Sequence, residues 1–490
     1  MRLFRLIKTL GDCRISGSFE DFPLRGVSSD SKDVGKDFIF VAIKGVRRDG
    51  GAFIKEAIEK GARVIVTGDK DIGLRGYPGV TFITVDDDRF SLARLADAFY
   101  GHPSSKVKVI GITGTNGKTT ILYLLEALLK QGGFSSGVIG TVNYRFKGKV
   151  MNSKNTTPGP LELQSLLDGM RKSGVDFAVM EVSSHALQQH RVGGIVFHSA
   201  IFTNLTQDHL DYHGTMEDYF LAKARLFEGL APSALAVLNN DDEYGRRLRG
   251  LTDATVVTYG IDNPSDVTAG DIRMELGQTN FIFKYAAGKI PIRTPLIGRH
   301  NVYNILALAA WGIAAGFKPE QLKAALEMFT VAPGRLERIE NNRGISIFVD
   351  YAHTEDALRN VISSLRQVAA KSARILVVFG CGGERDKTKR PKMGKVVSEL
   401  ADYAVITSDN PRSEDPALIV EDIKKGIAGN NYEVVLERRA AIARILSLAG
   451  AGDVVLLAGK GHEISQIYSD SSVDFDDREV ARQCLRQGKS

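Results

Sequence analysis

The sequence predicts an α/β protein of three domains, built largely on parallel sheets. Short apolar stretches alternate along most of the chain with longer stretches whose apolar residues recur at helical spacing. This alternation is typical of parallel strands joined by crossover helices. At 490 residues the chain is also too long for one ordinary core, so two to four domains are expected.

The first domain is predicted over residues 1–104, as a smaller α/β unit. Its strands are predicted at 37–43, 64–67 and 80–85, and its helices at 51–61 and 89–99. The segment 101–105, with its glycine and proline, is interpreted as the linker that closes this domain.

The second domain is predicted over residues 105–332, as a mostly parallel sheet. Its apolar strands are predicted at 107–112, 177–182, 200–204, 234–238 and 256–259. Alternating polarity across 271–297 indicates antiparallel strands at one edge of this sheet, and two helices are predicted to follow at 301–315 and 319–329.

The third domain is predicted over residues 333–490, as a doubly wound, Rossmann-like sheet. Its short apolar strands are predicted at 345–349, 375–379, 403–407, 434–436 and 454–458, with helical segments between them.

A glycine-containing turn after the strand at 107–112 is the most informative motif, and a helix is predicted to follow it at 121–130. The turn reads Thr113, Gly114, Thr115, Asn116, Gly117, Lys118, Thr119, Thr120. Backbone N–H groups of such a turn and the helix N-terminus attract phosphate. Lys118 can reach the outer phosphates, and the Thr119 hydroxyl can ligate Mg²⁺. Ile112 stands where the common pattern has glycine, and an ordinary glycine-rich turn is the alternative. The lysine and the flanking elements favour binding of ATP or GTP.

Composition excludes several classes of protein. Hydrophobic content of 43% and charged content of 25% are typical of globular proteins, and no apolar run is long enough to span a bilayer. Three cysteines cannot form a disulfide framework. The net charge of +6 is mild, and the basic residues form no stripe. We expect a reduced, cytoplasmic protein without a signal peptide, membrane insertion or nucleic-acid partner.

Polar residues at strand ends in the second domain suggest ion or phosphate sites. Glu181 ends the strand at 177–182, where a nucleotide-bound Mg²⁺ needs an oxygen ligand. Two histidines and two aspartates lie in the loop 203–214, at the end of another strand, although a polar loop with capping aspartates would also explain them. The turn at 155–158 is rich in hydroxyl and amide groups, and the segment 189–191 is expected to bring a guanidinium near Glu181. Spacing alone does not single out Lys223.

Charged groups also cluster at predicted strand ends of the third domain. They lie at 334–335, 350–354, 382–387, 409–412 and 459–463. Open α/β sheets bind ligands beyond the carboxyl ends of their strands, which makes the clustering informative although each group alone is weak.

Taken together, these motifs resemble the Mur ligase family, which makes the peptide stem of bacterial peptidoglycan. The resemblance rests on segments 113–120, 181–185, 208–214, 298–301, 350–353 and 409–412, together with Lys223. It covers all three predicted domains. The Asp-Asn-Pro-Arg stretch at 409–412 resembles a motif specific to the subgroup of the family that adds diaminopimelate.

The resemblance implies an ATP site with two Mg²⁺ ions. It assigns the nucleotide to the following residues: Gly114, Thr115, Asn116, Gly117, Lys118, Thr119, Thr120, Asn301, Arg335 and Asp350. One Mg²⁺ would be held by Thr119 and Glu181, and the other by His209 and a carbamylated Lys223. A carbamate replaces a cation with an anionic oxygen ligand, as a hard metal requires. Lys118, His209 and Lys223 are the implied catalytic residues.

The resemblance also implies two sites for the substrates that are joined. The UDP-substrate would contact Ser31, Val46, Arg47, Arg48, Asn155, Thr156, Thr157, Ser183, Gln189 and Arg191. Diaminopimelate would contact Arg385, Asp409, Asn410, Pro411, Arg412, Gly459 and Glu463. One departure from the family lies in the first domain, where Lys32 follows Asp30-Ser31 in place of the usual arginine. Lysine keeps the charge but loses the bidentate fork, so we expect a weaker uridine-side contact.

The implied reaction is ATP-dependent amide-bond formation by a monomeric enzyme. The side-chain carboxylate of UDP-N-acetylmuramoyl-L-alanyl-D-glutamate would be phosphorylated, and meso-diaminopimelate would attack the acyl phosphate. A folylpolyglutamate synthase-like ligase is one alternative, but it lacks a comparable first domain. A P-loop switch without amide chemistry is the other, and it leaves Arg385, Glu463 and the His209 loop unexplained.

Overall fold

The structure, a computed structural model, describes residues 1–45, 49–70 and 77–487. No helix in these ranges is long and apolar enough to cross a membrane. The predicted α/β class is confirmed, with several mostly parallel sheets.

The N-terminal region forms a sheet with strand order β1-β5-β4-β3-β2, in which only β1 is antiparallel to its neighbour. Its elements are β1 (Arg14–Gly17), β2 (Gly26–Ser28), β3 (Phe38–Ala42), β4 (Ala62–Thr67), β5 (Thr81–Thr84), α1 (Leu3–Ile7), α2 (Ile54–Glu59) and α3 (Asp88–Phe99). Short 3-10 helices lie at Lys8–Leu10, Ser31–Asp33, Gly50–Phe53 and Pro103–Ser105. The last of these falls in the segment predicted to be a linker, where Pro103 and Ser104 are buried.

The middle of the chain contributes strands β6 to β16 and helices α4 to α11. The strands are β6 (Lys108–Thr113), β7 (Ser136–Ile139), β8 (Asn143–Phe146), β9 (Lys149–Asn152), β10 (Phe177–Glu181), β11 (Phe197–Phe202), β12 (Leu235–Asn239), β13 (Thr255–Gly260), β14 (Val267–Glu275), β15 (Gln278–Tyr285) and β16 (Gly288–Thr294). The helices are α4 (Lys118–Gln131), α5 (Pro160–Lys172), α6 (Ser184–Gln188), α7 (Leu210–His213), α8 (Met216–Glu228), α9 (Glu243–Leu248), α10 (Arg299–Ala314) and α11 (Pro319–Glu327).

The C-terminal region has a sheet of order β17-β18-β22-β19-β20-β21, parallel except for β17. Its strands are β17 (Glu337–Ile339), β18 (Ser346–Asp350), β19 (Ile375–Phe379), β20 (Tyr403–Ile406), β21 (Tyr432–Val434), β22 (Val454–Ala458), β23 (Ser465–Ile467) and β24 (Ser472–Asp474). Its helices are α12 (Glu355–Val368), α13 (Lys389–Leu400), α14 (Pro416–Lys424), α15 (Arg438–Leu448) and α16 (Asp477–Gln487).

Alternation along these C-terminal strands builds a core on each face of the sheet. Phe348 and Leu456 pack with α12, α13 and α14 on one face. Ile347 and Val455 pack with α15 and α16 on the other. A parallel sheet with both faces covered explains why its strands read as continuous apolar runs. The prediction of a doubly wound sheet is therefore confirmed.

Contacts divide the chain into two compact units. The first comprises Met1–Thr113, Phe134–Ala200 and Ala222–Ala234, and the second comprises Gly114–Gly133, Ile201–Leu221 and Leu235–Ser490. In the first unit β10 lies between β6 and β7, parallel to both, with Glu181 opposite Ile112. In the second unit β12, β13 and β14 are parallel, whereas β14, β15 and β16 are antiparallel, as predicted from the alternating segment.

Candidate active site

The phosphate-loop turn joins β6 to α4 and depends on its two glycines. Gly114 and Gly117 have φ of 146° and 90°, conformations that L side chains rarely adopt. A Cβ at Gly114 would overlap Thr203 Oγ1, and one at Gly117 would overlap Asn304 Oδ1. Gly117 is also the N-cap of α4, so the turn leads directly to the positive end of a 14-residue helix. This geometry is that of an anion-binding loop.

The side chains of the loop are tied to their own turn and to other parts of the second unit. Lys118 Nζ donates to the carbonyls of Gly114 and Thr115, at 2.9 Å each. Asn116 Nδ2 donates to Asp356 Oδ2 at 2.8 Å, in the first turn of α12. The ammonium of Lys118 therefore lies across the loop, where a phosphate would meet it.

A cavity of about 330 Å³ adjoins the loop. Its lining comprises Asn116, Gly117, Thr120, Asn204, Thr206, Asn239, Asp241, Asp242, Arg299, His300, Asn301, Tyr303, Asn304, Arg335, Leu336, Asp350, Asp356, Ala357, Asn360 and Val361. All of these residues belong to the second unit. Asn301, Arg335 and Asp350, which the resemblance assigned to the nucleotide, lie together in this lining.

Arg335 is the cation of the cavity that is best suited to an anionic ligand. Its NH2 donates to Thr119 Oγ1 at 2.9 Å, and its guanidinium lies 4.8 Å from the centre of the Tyr351 ring. Its Nε is buried and has no hydrogen-bond partner among the described residues. A buried donor without a partner is costly, and a bound phosphate oxygen would satisfy it.

Two carboxylates line the cavity, the buried Asp350 and the partly buried Asp356. Burial raises the pKa of Asp350, against the opposing effects of the Arg335 charge and of N–H donors from Leu336 (2.7 Å) and Ala352 (2.8 Å). Burial likewise raises the pKa of Asp356. Sequence reasoning had not identified Asp356, although an acid in the first turn of a helix that follows a strand-end motif is a usable signal.

Another aspartate of the lining has a depressed pKa and anchors a turn. Burial alone would raise the pKa of Asp241, but N–H donors from Asp262 and Ile261 and the hydroxyl of Tyr303 outweigh it and lower the pKa to about 2. Arg299 forms an ion pair with Asp262 beside them. This group of residues was not predicted, because its members come from three separate segments.

The loop 203–214 carries the predicted His209 site. His209 has φ of 54°, and its Nε2 lies 3.4 Å from Asp208 Oδ2. Burial would raise the pKa of Asp208, but the neighbouring His209, His353 and Lys389 lower it on balance. Asp208 therefore supplies negative charge beside His209.

In the first unit, Glu181 and five of the predicted UDP-substrate residues form one hydrogen-bonded cluster. Glu181 is 1% exposed, and its two carboxylate oxygens accept from Thr141 N at 2.9 Å and Thr141 Oγ1 at 3.0 Å. Thr157 Oγ1 donates to the Glu181 carbonyl at 2.8 Å, and Arg191 NH1 donates to the Thr157 carbonyl at 2.9 Å. The guanidinium expected near Glu181 is that of Arg191, which is linked to Glu181 through Thr157.

Three further residues attach to this cluster, and Asn155 is next to one of them in the chain. Ser183 N donates to Thr157 Oγ1 at 3.0 Å, and Thr156 Oγ1 lies 3.1 Å from Thr141 Oγ1. Gln189 Oε1 accepts from Arg191 at 2.8 and 3.1 Å, and the carbonyl of Asn155 accepts from Tyr144 OH at 2.5 Å. Thr141, which holds Glu181, was missed because an isolated threonine carries no sequence signal.

The other predicted metal and uridine-side residues have the following settings. Lys223 lies on α8 and is 1% exposed. Ser31 is buried and donates to Glu56 Oε2 at 2.8 Å, while Lys60 Nζ donates to the Ser31 carbonyl at 3.0 Å. The described residues contain no group of three or more His, Cys, Asp and Glu arranged for a metal, but the predicted ligands include threonine and lysine. Val46, Arg47 and Arg48 lie outside the described residues.

Two neighbouring guanidinium groups, Arg385 and Arg412, mark the predicted diaminopimelate pocket. Arg412 NH1 donates to the Gly383 carbonyl at 2.7 Å, and Arg385 NH1 donates to the Glu384 carbonyl at 3.5 Å. Within the described ranges, neither group forms an ion pair with a carboxylate at 4 Å or closer. Burial and the charge of Arg385 lower the pKa of Arg412. Two neighbouring guanidinium groups that donate to carbonyl oxygens but form no ion pair favour binding of a carboxylate.

The other predicted members of this pocket are packed beside the guanidinium groups. A Cβ at Gly459 would lie 2.7 Å from Asp409 Oδ2, and one at Gly383 would overlap the Pro411 carbonyl. Asn410 Nδ2 donates to Glu463 Oε2 at 2.8 Å. The segment 409–412, which carries predicted pocket residues, also leads toward α14, which begins at Pro416.

The site defines the class of the protein: an α/β protein with a glycine-rich phosphate loop, whose nucleotide cavity and guanidinium-bearing pocket belong to one compact unit. Three segments of the chain also match known protein families. Residues 23–100 match the Mur ligase family, catalytic domain; residues 112–312 match the Mur ligase middle domain; residues 334–461 match the Mur ligase, glutamate ligase domain. The chain belongs to the Mur ligase family.

Individual relatives cover nearly the whole chain. The UDP-N-acetylmuramoyl-L-alanyl-D-glutamate–2,6-diaminopimelate ligase of Bacillus cereus is 42% identical over 99% of this chain and 98% of its own. A solved structure of a ligase with the same description is 32% identical, with a TM-score of 0.68 over 96% of both chains. The folylpolyglutamate synthase of Mycobacterium tuberculosis, solved with ADP and AMPPCP, shares the fold at 18% identity, with a TM-score of 0.64 over 76% of this chain and 92% of its own.

Proposed function

We propose that this chain joins meso-2,6-diaminopimelate to UDP-N-acetylmuramoyl-L-alanyl-D-glutamate, with ATP as the energy source. The observation that carries the proposal is the neighbouring pair Arg385 and Arg412, neither of which forms an ion pair with a carboxylate at 4 Å or closer among the described residues. Diaminopimelate differs from lysine by a carboxylate at its far end, which such a pair would bind. The similarity to ligases of that description along the whole chain supports the same substrate.

The proposed reaction passes through an acyl phosphate. The side-chain carboxylate of the D-glutamyl residue attacks the γ-phosphorus of ATP, and ADP leaves. The amine of diaminopimelate then attacks the acyl carbon, and phosphate leaves from the tetrahedral intermediate with its bridging oxygen. Lys118, the loop N–H groups and Arg335 would offset the charge of the phosphates, and no covalent enzyme nucleophile is needed.

Two Mg²⁺ ions belong to this proposal, and the ligands that the family suggests for them are Thr119, Glu181, His209 and a carbamylated Lys223. Bound Mg²⁺ would neutralise the charge that opposes attack of a carboxylate on a polyphosphate. The donor chemistry fits, because Glu181 is a buried carboxylate and Lys223 is 1% exposed. Burial disfavours an ammonium, and carbamylation converts that side chain into an oxygen ligand.

We also propose the finer assignments that the family suggests. These are a UDP-substrate domain at 1–104, an ATP-binding domain at 105–332, an amino-acid-binding domain at 333–490, and a monomeric, cytoplasmic enzyme. The buried Ser31 and the cluster around Thr157 and Arg191 would contact the UDP-dipeptide.

Phosphate release from ATP tests the proposal. We expect release only when the UDP-dipeptide and meso-diaminopimelate are both present, and little release when lysine replaces diaminopimelate. Release that needs neither substrate would favour the nucleotide switch. Release with a folate substrate would favour a folylpolyglutamate synthase.

A further inference from the structure

Lys460 is a buried cation beside Asn410 and Glu463, two of the residues predicted to contact diaminopimelate. It follows Gly459 in the loop after β22, and its side chain is 0% exposed. Taking an ammonium out of water is costly unless hydrogen-bonding partners compensate for the lost hydration. The partners of Lys460 therefore indicate what its charge does.

Those partners are two residues of the pocket. Lys460 Nζ donates to Asn410 Oδ1 at 2.9 Å and to Glu463 Oε2 at 3.0 Å. Asn410 Nδ2 donates to the same Glu463 oxygen at 2.8 Å, which closes a triangle of three side chains. The triangle joins the loop after β20 to the loop after β22, and both loops carry residues predicted to contact diaminopimelate.

The triangle determines how Glu463 is presented to a ligand. Oε2 is occupied by two donors, whereas Oε1 has no hydrogen bond to any residue in the described ranges. The side chain of Glu463 is 28% exposed, so the carboxylate remains within reach of a solute. The ammonium also selects the amide orientation of Asn410, because only the amide oxygen can accept from it. Ile467 N donates to that oxygen as well, at 3.0 Å.

We propose that Lys460 is the positioning residue of the amino-acid pocket. It holds Asn410 and Glu463 so that Glu463 Oε1 accepts the far-end ammonium of the diamino acid, while Arg385 and Arg412 take the neighbouring carboxylate. The inference rests on the function proposed above and adds the residue that orients Asn410 and Glu463. Lys460 acts through Glu463 and need not touch the substrate.

The test compares Lys460→Met, of similar length but without charge, with Lys395→Met as a matched control. Lys395 lies on α13 with its side chain 67% exposed. We expect Lys460→Met to raise the KM for meso-diaminopimelate about tenfold or more, as loss of a charged hydrogen bond does, and to leave the KM for ATP and for the UDP-dipeptide within about twofold. Lys395→Met should match the wild type in all three. An unchanged KM for diaminopimelate, or an equal rise in all three, would overturn the inference.

A double-mutant comparison separates positioning of Glu463 by Lys460 from a purely structural role of Lys460. It also detects misfolding of the single variant, because a folding defect would persist in the double variant. Lys460→Met combined with Glu463→Gln leaves no carboxylate at 463 to be positioned, so its KM for diaminopimelate should equal that of Glu463→Gln alone. A further increase in the double variant contradicts positioning through Glu463. A wild-type enzyme that does not turn over diaminopimelate overturns the proposed function and this inference together, whereas an active wild type with an unaffected Lys460→Met overturns the inference alone.

Discussion

At the scale of single residues, Lys118 should be required for chemistry and dispensable for folding. Its ammonium donates to the carbonyls of Gly114 and Thr115, both in its own turn, at 2.9 Å each. We expect Lys118→Ala to abolish product formation with an unchanged melting temperature, because the phosphate charge is no longer neutralised. Lys130→Ala, at the exposed end of the same helix, is the control. Near-normal turnover by Lys118→Ala would remove the phosphate assignment.

Lys223 should be needed as a carbamate rather than as an ammonium. We expect Lys223→Ala to be nearly inactive and to regain part of its activity in formate or acetate, because a small carboxylate can occupy the vacated oxygen site. Steady-state rates in formate are compared with rates in chloride at equal ionic strength. Full activity of Lys223→Ala without added carboxylate would contradict the assignment.

Arg412 should determine the choice of amino acid. Removing one partner of a buried charge-paired contact costs on the order of 2–5 kcal/mol, so Arg412→Ala should raise the KM for diaminopimelate strongly. The KM for ATP and for the UDP-dipeptide should change little. Arg359→Ala, on the surface of α12 with its side chain 41% exposed, serves as the control. Unchanged diaminopimelate kinetics would reduce 409–412 to a turn.

At the scale of secondary-structure elements, the phosphate-loop turn should tolerate no side chain at Gly114. An alanine there combines a left-handed φ with an overlap against Thr203 Oγ1, and we expect it to destabilise the fold by about 1–3 kcal/mol and to weaken ATP binding. Gly159→Ala is the matched control, because Gly159 has φ of −66° and a Cβ added there would meet no atom within 4 Å. Calorimetric ATP titration and thermal melting of both variants provide the measurement, and an ATP affinity of Gly114→Ala equal to that of the control would contradict it.

The elements that sequence predicted best are the buried parallel strands. The strands at 375–379 and 454–458 were predicted with the bounds that the structure has, because parallel strands covered on both faces are uninterrupted apolar runs. The strand expected at 434–436 lies instead at Tyr432–Val434, at the sheet edge, where the apolar signal is weak. The strands β7, β8 and β9, which pair antiparallel in chain order, were not predicted, since their four-residue lengths leave too little pattern.

Within the site, short motifs were easier to predict than partners from distant segments. The turn at 113–120 and the segment 409–412 carry their chemistry in consecutive residues. Asp356 joins Asn116 across 240 positions, and Lys460 joins Asn410 across 50, so only the folded chain reveals these pairs. Lys460 lay inside a segment already noted for its charge, but its burial could not be inferred from the sequence.

At the scale of the whole molecule, stability should fall as the pH drops below 6.5. Burial lowers the pKa of His300 to about 4 and that of His462 to about 3, the latter with help from the charge of Arg335. The unfolded chain binds protons at these histidines near pH 6.5 while the folded chain does not, so the free energy of unfolding rises with pH across this window. At pH 5 each histidine should lower the free energy of unfolding by on the order of 2 kcal/mol, relative to neutral pH. Melting temperatures between pH 7.5 and pH 5 test this, and a His300→Gln variant should show a shallower decline.

The central claim, amide ligation through an acyl phosphate with diaminopimelate as the amine, has one direct test. The UDP-dipeptide is prepared with ¹⁸O in its D-glutamyl side-chain carboxylate and incubated with ATP, Mg²⁺ and meso-diaminopimelate. Mass spectrometry should find the diaminopimelate-extended product and one ¹⁸O atom in each inorganic phosphate released, because the bridging oxygen leaves with the phosphate. Phosphate without ¹⁸O, released with no extended product, would contradict the claim.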